Sequence, residues 1–307
     1  MQAIRVHQYG ESDVLKLETI AQPEPQPNEV LIRVQAAGVN PLDWKIRSGY
    51  MKEVFPIPMP YTPGMDVAGI VEAIGADVKA FQVGQAVYGE LNMGAYAEFA
   101  TASQDAIALK PQTLDFVQAA SVPMVAMTAY QALFDYADLK PGQTVLIHAA
   151  SGGVGMFAVQ FAKWKGAHVI GTTSAANTEF VQSLGADQVI DYKSTSFEQV
   201  VKNVDVVLDT LGGDTQARSY SVLKPGGILV STPAPPNAQD AQARGVRAEM
   251  VNMKPSASLL KEITNLLDSG QVKTVIAQTF SLSEARQAQD LSQRGHVRGK
   301  IVLQISA

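Results

Sequence analysis

From Glu29 the chain alternates. Val30, Ile32 and Val34 fall on one side and Leu31, Arg33 and Gln35 on the other, the period-two pattern of a strand. The stretches VAGIVEAIG, FQVGQAVYG and AYAEFATA continue the pattern with Gly and Pro between them, which predicts an irregular β-rich unit over roughly the first 115 residues. Near Gln118 the texture changes: AASVPMVAMTAYQALFDYA is helix-like, and from Thr144 strand-like and helix-like segments alternate. TVLIH reads as a buried strand, followed by Val154, Phe157, Ala158, Phe161 and Ala162 at helical spacing. HVIGTT is a second strand and TEFVQSLGA a second helix with a glycine stop; QVIDY, DVVLDT, GGILVST and RAEMVNM supply four more strands. Six strands separated by helices predict an α/β fold with a doubly wound parallel sheet, whose ligand crevice lies at the carboxyl ends of the strands. A helix over Ser256 to Asp268, with Leu259, Leu260, Ile263, Leu266 and Leu267 on one face, precedes GKIVLQI, a last strand expected to return to the first domain. The expected boundaries are 1–119 with 272–307 for the β-rich domain and 120–271 for the α/β domain.

Length and composition suit that division: 307 residues, 46% hydrophobic and 17% charged, are enough for two buried cores. The net charge is -5 and the 24 Lys and Arg are scattered, which argues against a nucleic-acid partner. No apolar run reaches the roughly 18 residues of a membrane span, since Pro123, Thr128 and Gln131 interrupt the best stretch, Ala119 to Phe134. The opening MQAIRVHQYGESD lacks the order of a signal peptide, so the expected compartment is the cytoplasm. Without cysteine there is no disulfide, thiolate nucleophile or Cys-based zinc site. His7, His148, His168 and His296 are far apart, so no metal is expected, and His148 and His168 read as hydrogen-bonded structural histidines beside strands.

HAASGGVG then becomes the candidate chemistry. Ser151, Gly152, Gly153, Val154 and Gly155 follow a predicted strand and open a predicted helix, so backbone amides and the positive helix end can face a pyrophosphate. The alternative is a merely tight turn. Ala150 replaces the first glycine of the strict GxGxxG spacing, which predicts a slightly wider loop. The second strand ends in Thr172, Thr173, Ser174, Ala175, Ala176 and Asn177, with no acid to accept from an adenosine ribose. Thr173, Ser174 and Asn177, joined by Tyr192 after the third strand, leave room for a 2'-phosphate and can donate to it, so NADPH is expected over NADH. No Arg or Lys stands in that turn, and Lys193 is the near cation. By the strand-end rule Leu211 and Gly212, and Ser231, Thr232 and Pro233, line the same crevice.

The order of these segments, with LGADQVIDY, DVVLDTLGG, LKPGG and GKIVL, and with AAGVNPLDW, PYTPGMDVAGIVEAIG and GAYAEF near the amino end, resembles the medium-chain dehydrogenase/reductase superfamily, specifically its zinc-free, zeta-crystallin-like quinone oxidoreductase branch. The resemblance covers essentially the whole chain and implies a GroES-like substrate domain joined to a Rossmann domain. The superfamily's zinc alcohol dehydrogenases place a cysteine where Asn40 stands and a His-Glu pair where Met65 and Asp66 stand, and the cysteine-rich structural-zinc lobe is missing. Without Lewis acidity a quinone or activated C=C suits the site better than an alcohol. The implied reaction passes a hydride from NADPH to such an acceptor in a cleft between the domains, with donors aimed at the developing oxyanion. Asn40, by its match to the NPxD motif, is the candidate amide donor, and Tyr50 a second donor or proton source; a turn asparagine and a packing tyrosine are the bland alternatives. Asp43 and Asp66 are expected to hold loop amides, Thr128 to approach the cofactor's ribose or phosphates or to be an ordinary helical threonine, and Lys300 to reach a phosphate or decorate the last strand. The family also implies a homodimer, for which the LVSTPAPP strand suits pairing across a two-fold axis. A non-catalytic NADPH-binding sensor or structural protein, and an enoyl thioester reductase, are the alternative functions.

Overall fold

The alternation at the amino end becomes strand pairing. In the computed structural model, which describes residues 1–305, β1 (Gln2–Arg5) and β2 (Lys16–Thr19) form an antiparallel pair. β3 (Glu29–Val39) runs antiparallel to β4 (Asp66–Ile74), and β4 to β5 (Ala86–Glu90). β6 (Phe99–Ser103) pairs with the first half of β3, and β7 (Ile107–Leu109) with β5. Val30, Ile32 and Val34 are buried, as the alternation requires, and Leu31 is buried with them.

The α/β unit holds β8 (Thr144–Ile147), β9 (His168–Thr173), β10 (Gln188–Asp191), β11 (Val204–Asp209), β12 (Leu223–Ser231) and β13 (Arg247–Met250). They form one six-stranded parallel sheet in the order β10-β9-β8-β11-β12-β13. Strand order reverses between β8 and β11, which makes the carboxyl end of β8 the topological switch point. The helix Gly153–Trp164 follows β8 and buries Phe157, Ala158, Phe161 and Ala162.

Two strands complete the β-rich unit: β14 (Ile276–Ser281) lies parallel to β15 (Lys300–Gln304), and β15 pairs antiparallel with the end of β3. The last strand thus returns as expected.

The boundaries differ from the expected ones. The first unit comprises Met1–Met124, Pro255–Gly270 and Thr274 onward, and the second Val125–Lys254 with Gln271–Lys273. The helix assigned to the α/β domain therefore belongs to the β-rich unit. It runs from Ala257 to Asp268, with Ser256 capping it by accepting from the Leu259 N–H. The Tyr88 hydroxyl donates to its Leu260 carbonyl at 2.9 Å, and Thr113 donates to Asp268 at 2.9 Å. Periodicity reveals which face of a helix is apolar, not which sheet receives it. A second correction concerns β12, the LVST strand: it is paired on both sides, with β11 and β13, so its backbone is not available to a second copy. Among the described residues no helix is long and apolar enough to cross a membrane.

Candidate active site

In the α/β unit the glycine turn is held back on itself. The Ala150 N–H donates to the Thr172 carbonyl and the Gly152 N–H to the Ala149 carbonyl, both at 2.9 Å, and the helix starts at Gly153 with Gly152 as its N-cap. A Cβ on Gly155 would lie 2.3 Å from the Ala149 oxygen, so only glycine lets the helix begin this close to the turn. The first-turn amides have no intrahelical acceptor, and this end of the 12-residue helix suits a pyrophosphate.

The two threonine hydroxyls at the end of β9 are both satisfied within the unit. Thr172 bonds to the ring of His148 at 3.1 Å, and Thr173 donates to Ser151 Oγ at 2.8 Å, so both are turned inward and buried. Thr173 thus supports the turn through Ser151 and is not an exposed phosphate donor, which corrects the expected direct role. Ser174 and Asn177 are half-buried, with the Asn177 amide donating to Ser174 Oγ at 3.3 Å, and Tyr192 is 47% exposed. Tyr192 is held beside them, its N–H donating to the Thr173 carbonyl at 3.1 Å. His148 is structural: its other nitrogen meets Ser219 Oγ at 2.9 Å, and burial pushes its pKa down to about 4, so it is neutral at physiological pH. At the end of β11 a buried carboxylate that sequence reasoning missed, Asp209, accepts from the amides of Leu211 and Gly212 at 3.0 and 2.9 Å. Its other oxygen accepts from Gln216 and from Ser231 of β12, and its backbone carbonyl from the Thr232 N–H beside Pro233. The two strand-end turns are therefore fastened to one side chain. Thr128 lies on the helix Pro123–Tyr130 of this region and is 9% exposed.

The β-rich unit carries a second cluster. Asn40 follows β3 in extended conformation, Pro41 starts the helix Pro41–Arg47, and Asp43 at its third position accepts the Asn40 N–H at 2.8 Å. The Tyr96 hydroxyl donates to the same Asp43 oxygen at 2.8 Å. The Asn40 carboxamide is 1% exposed: its nitrogen donates to Asp66 Oδ2 at 2.9 Å, and its oxygen accepts from Lys300 Nζ. Lys300 also donates to the Val39 carbonyl at 3.0 Å and lies 3.5 Å from Asp66 Oδ2, while Asp66 Oδ1 accepts the Met124 N–H at 2.8 Å. Asp43 and Asp66 thus hold backbone amides, as their motif positions suggest. Lys300, 3% exposed, neither reaches outward to a phosphate nor decorates the strand: its ammonium is turned into the cluster. Glu90, opposite Asp66 in the β4–β5 register, is buried as well.

Burial dominates the electrostatics here. It raises the carboxyl of Asp43 to about 6 and that of Glu90 to about 8, and it raises Asp66 while lowering Lys300, whose mutual attraction opposes both shifts. Three acceptors surround Lys300 Nζ, which matches an ammonium with three N–H groups. Tyr50 stands apart, 77% exposed and without a hydrogen-bond partner among the described residues. A phenol so placed has nothing to orient it, so its expected role as donor or proton source has no structural support.

Two known families match parts of the chain. The alcohol dehydrogenase GroES-like domain family matches residues 26–112, and the zinc-binding dehydrogenase family residues 184–303. A chloroplast envelope quinone oxidoreductase homolog of Arabidopsis thaliana is 37% identical over 99% of this chain and 98% of its own. The quinone oxidoreductase of Coxiella burnetii superposes with a TM-score of 0.94 at 37% identity, covering 100% of this chain and 99% of that one. The chain belongs to the medium-chain dehydrogenase/reductase superfamily. The quinone oxidoreductase of Escherichia coli, solved with NADPH, matches at a TM-score of 0.91 and 30% identity over 99% of both chains.

The superfamily's catalytic zinc can be tested against these residues. Where a metal would need electron-pair donors, this medium-chain member offers a carboxamide, Met65 and a carboxylate already joined to an ammonium. An ammonium among the ligands repels a dication, and the donor set does not fit zinc. Among the described residues no group of three or more His, Cys, Asp or Glu side chains can hold a metal ion. The residues suit a nicotinamide dinucleotide: the first-turn amides after Gly152 lack intrahelical acceptors, and Ser174, Asn177 and Tyr192 offer neutral donors just after β9 and β10.

Proposed function

We propose that this protein is a zinc-independent oxidoreductase that transfers a hydride from NADPH to a quinone or α,β-unsaturated carbonyl. The reading rests on Lys300: its ammonium takes the place between Asn40 and Asp66, so the site offers N–H donors rather than a Lewis acid. An acceptor that takes a hydride readily, and whose oxygen gains negative charge, matches that chemistry. When bound, the reduced nicotinamide supplies the hydride. Ser151, Gly152, Gly153, Val154 and Gly155 would hold the pyrophosphate, and Ser174, Asn177 and Tyr192 the 2'-phosphate through neutral donors. Leu211, Gly212, Thr232 and Pro233 would line the nucleotide crevice through turns fixed by Asp209. Asn40 has two amide protons, one on Asp66, and the other would donate to the acceptor oxygen as charge builds there. Its burial makes that bond stronger than the same bond in water. The solved E. coli relative with NADPH supports the choice of dinucleotide. We also propose that the protein acts as a homodimer.

NADPH oxidation at 340 nm, with a benzoquinone, a naphthoquinone, an enone and a saturated aldehyde as acceptors, tests the proposal. Turnover of the first three and not the aldehyde is expected, and Asn40→Ala is expected to lower quinone turnover by about a hundredfold. Tight NADPH binding without turnover of any acceptor would replace the enzyme with a cofactor-binding sensor.

A further inference from the structure

We infer that the buried ammonium of Lys300 is a positioning group: it fixes the Asn40 carboxamide in one orientation and polarises it. The inference rests on the donor role proposed above for Asn40.

The fold brings the parts together around the end of β3. Ile301 pairs with Val39, so Lys300 at the start of β15 stands level with Asn40. On the other side Gly38 pairs with Asp66 at the start of β4. A Cβ on Gly38 would lie 2.8 Å from Asp66 Oδ2 and 2.4 Å from the Ala120 carbonyl oxygen, so glycine is what lets the carboxylate lie across the strand toward Asn40. A closed ring results: Lys300 donates to the Asn40 oxygen, the Asn40 nitrogen donates to Asp66, and Asp66 faces Lys300 at 3.5 Å.

The ring admits one orientation of the amide. Turned over, its NH2 would face an ammonium, which accepts nothing, and its oxygen a carboxylate, which donates nothing. An ammonium on the amide oxygen also draws electron density from the nitrogen, so the remaining N–H becomes a better donor to a developing oxyanion, and burial leaves the effect little screened. Lys300 itself is committed to Val39, Asn40 and Asp66, and acts through Asn40.

The test is a double-mutant cycle on the full chain, with NADPH and a benzoquinone as the probes. Lys300→Met, Asn40→Ala and the double variant are compared for kcat and KM, with NADPH affinity and thermal melting measured for each. Lys300→Met is expected to lower kcat by about tenfold, to leave NADPH affinity within about twofold, and to add less than about twofold to the loss in Asn40→Ala. Multiplicative losses in the double variant, or wild-type kcat in Lys300→Met, would overturn the inference while leaving Asn40 as the donor. Wild-type turnover in Asn40→Ala would instead remove the donor role itself, and the positioning role with it. Should Lys300→Met not fold, Lys300→Gln, which keeps a donor without the charge, takes its place in the cycle under the same criteria.

Discussion

At the residue scale Glu90 shows how burial writes a pH dependence into the chain. Its carboxyl is raised from 4.5 to about 8, first by burial and then by Asp66 and Asp43, and its Oε2 has no hydrogen-bond partner. Between those values the folded chain keeps a proton that the unfolded chain has released, so stability falls as pH rises through the window and the loss is complete above it. Glu90→Gln cannot ionise and escapes that penalty. Its melting temperature is expected to exceed the wild-type value by at least about 2 °C at pH 8, with the gap closing toward pH 5. Asp43, raised to about 6, titrates in both proteins, and its repulsion of an ionised Glu90 is part of the penalty that Glu90→Gln removes. A gap of equal size at both pH values would mean that Glu90 does not carry its proton as described. Ser174 offers a second residue-scale test, because the proposed preference for NADPH rests on the missing acid at the end of β9. Ser174→Asp would set a carboxylate against the 2'-phosphate and is expected to cut kcat/KM for NADPH by about ten- to a hundredfold while sparing NADH. Equal losses with both cofactors would place the phosphate elsewhere.

At the element scale the proposed nucleotide site depends on how closely one helix can start against one turn. In Gly155→Ala the new methyl would meet the Ala149 oxygen and Ala150 Cα, both backbone atoms that cannot swing aside, so the turn must open. NADPH affinity, read by quenching of protein fluorescence, is expected to fall by at least about tenfold. Unchanged affinity would show that the turn does not hold the pyrophosphate. This element was legible in the sequence, because a buried strand, a glycine turn and a helical period are local patterns, and the six parallel strands were legible for the same reason. The β-rich unit was legible as texture and as motif, but the short helix after Asn40 was not foreseen, although Pro41 and Asp43 stand at the positions of a helix start. What escaped was long-range. Nothing local in LLKEITNLLD says that it packs beside Tyr88, or in GKIVL that its lysine turns inward onto a residue 260 positions away. Tyr96 and Asp209 escaped likewise, since a buried partner is defined by the segment it meets.

At the scale of the whole molecule the six-stranded sheet leaves an edge open. Among the described residues β13 is paired with β12 on one side only, and Arg247, Glu249 and Met250 on it are exposed. An exposed edge presents unpaired backbone N–H and C=O groups, and a two-fold axis beside it would set two copies antiparallel in register with themselves. The homodimer proposed above therefore has a route that does not need β12, whose backbone is already used on both sides. Successive strand residues direct their backbone groups to opposite sides, so of Ala248→Pro and Glu249→Pro one removes an outward donor and the other a donor that β12 receives. Sedimentation velocity at micromolar concentration is expected to give a dimer for the wild type and a monomer for the first of these variants, with both retaining the parallel-sheet signature in circular dichroism. A monomeric wild type would count against the homodimer, and a dimer that survives both prolines would move the contact away from this edge to another face.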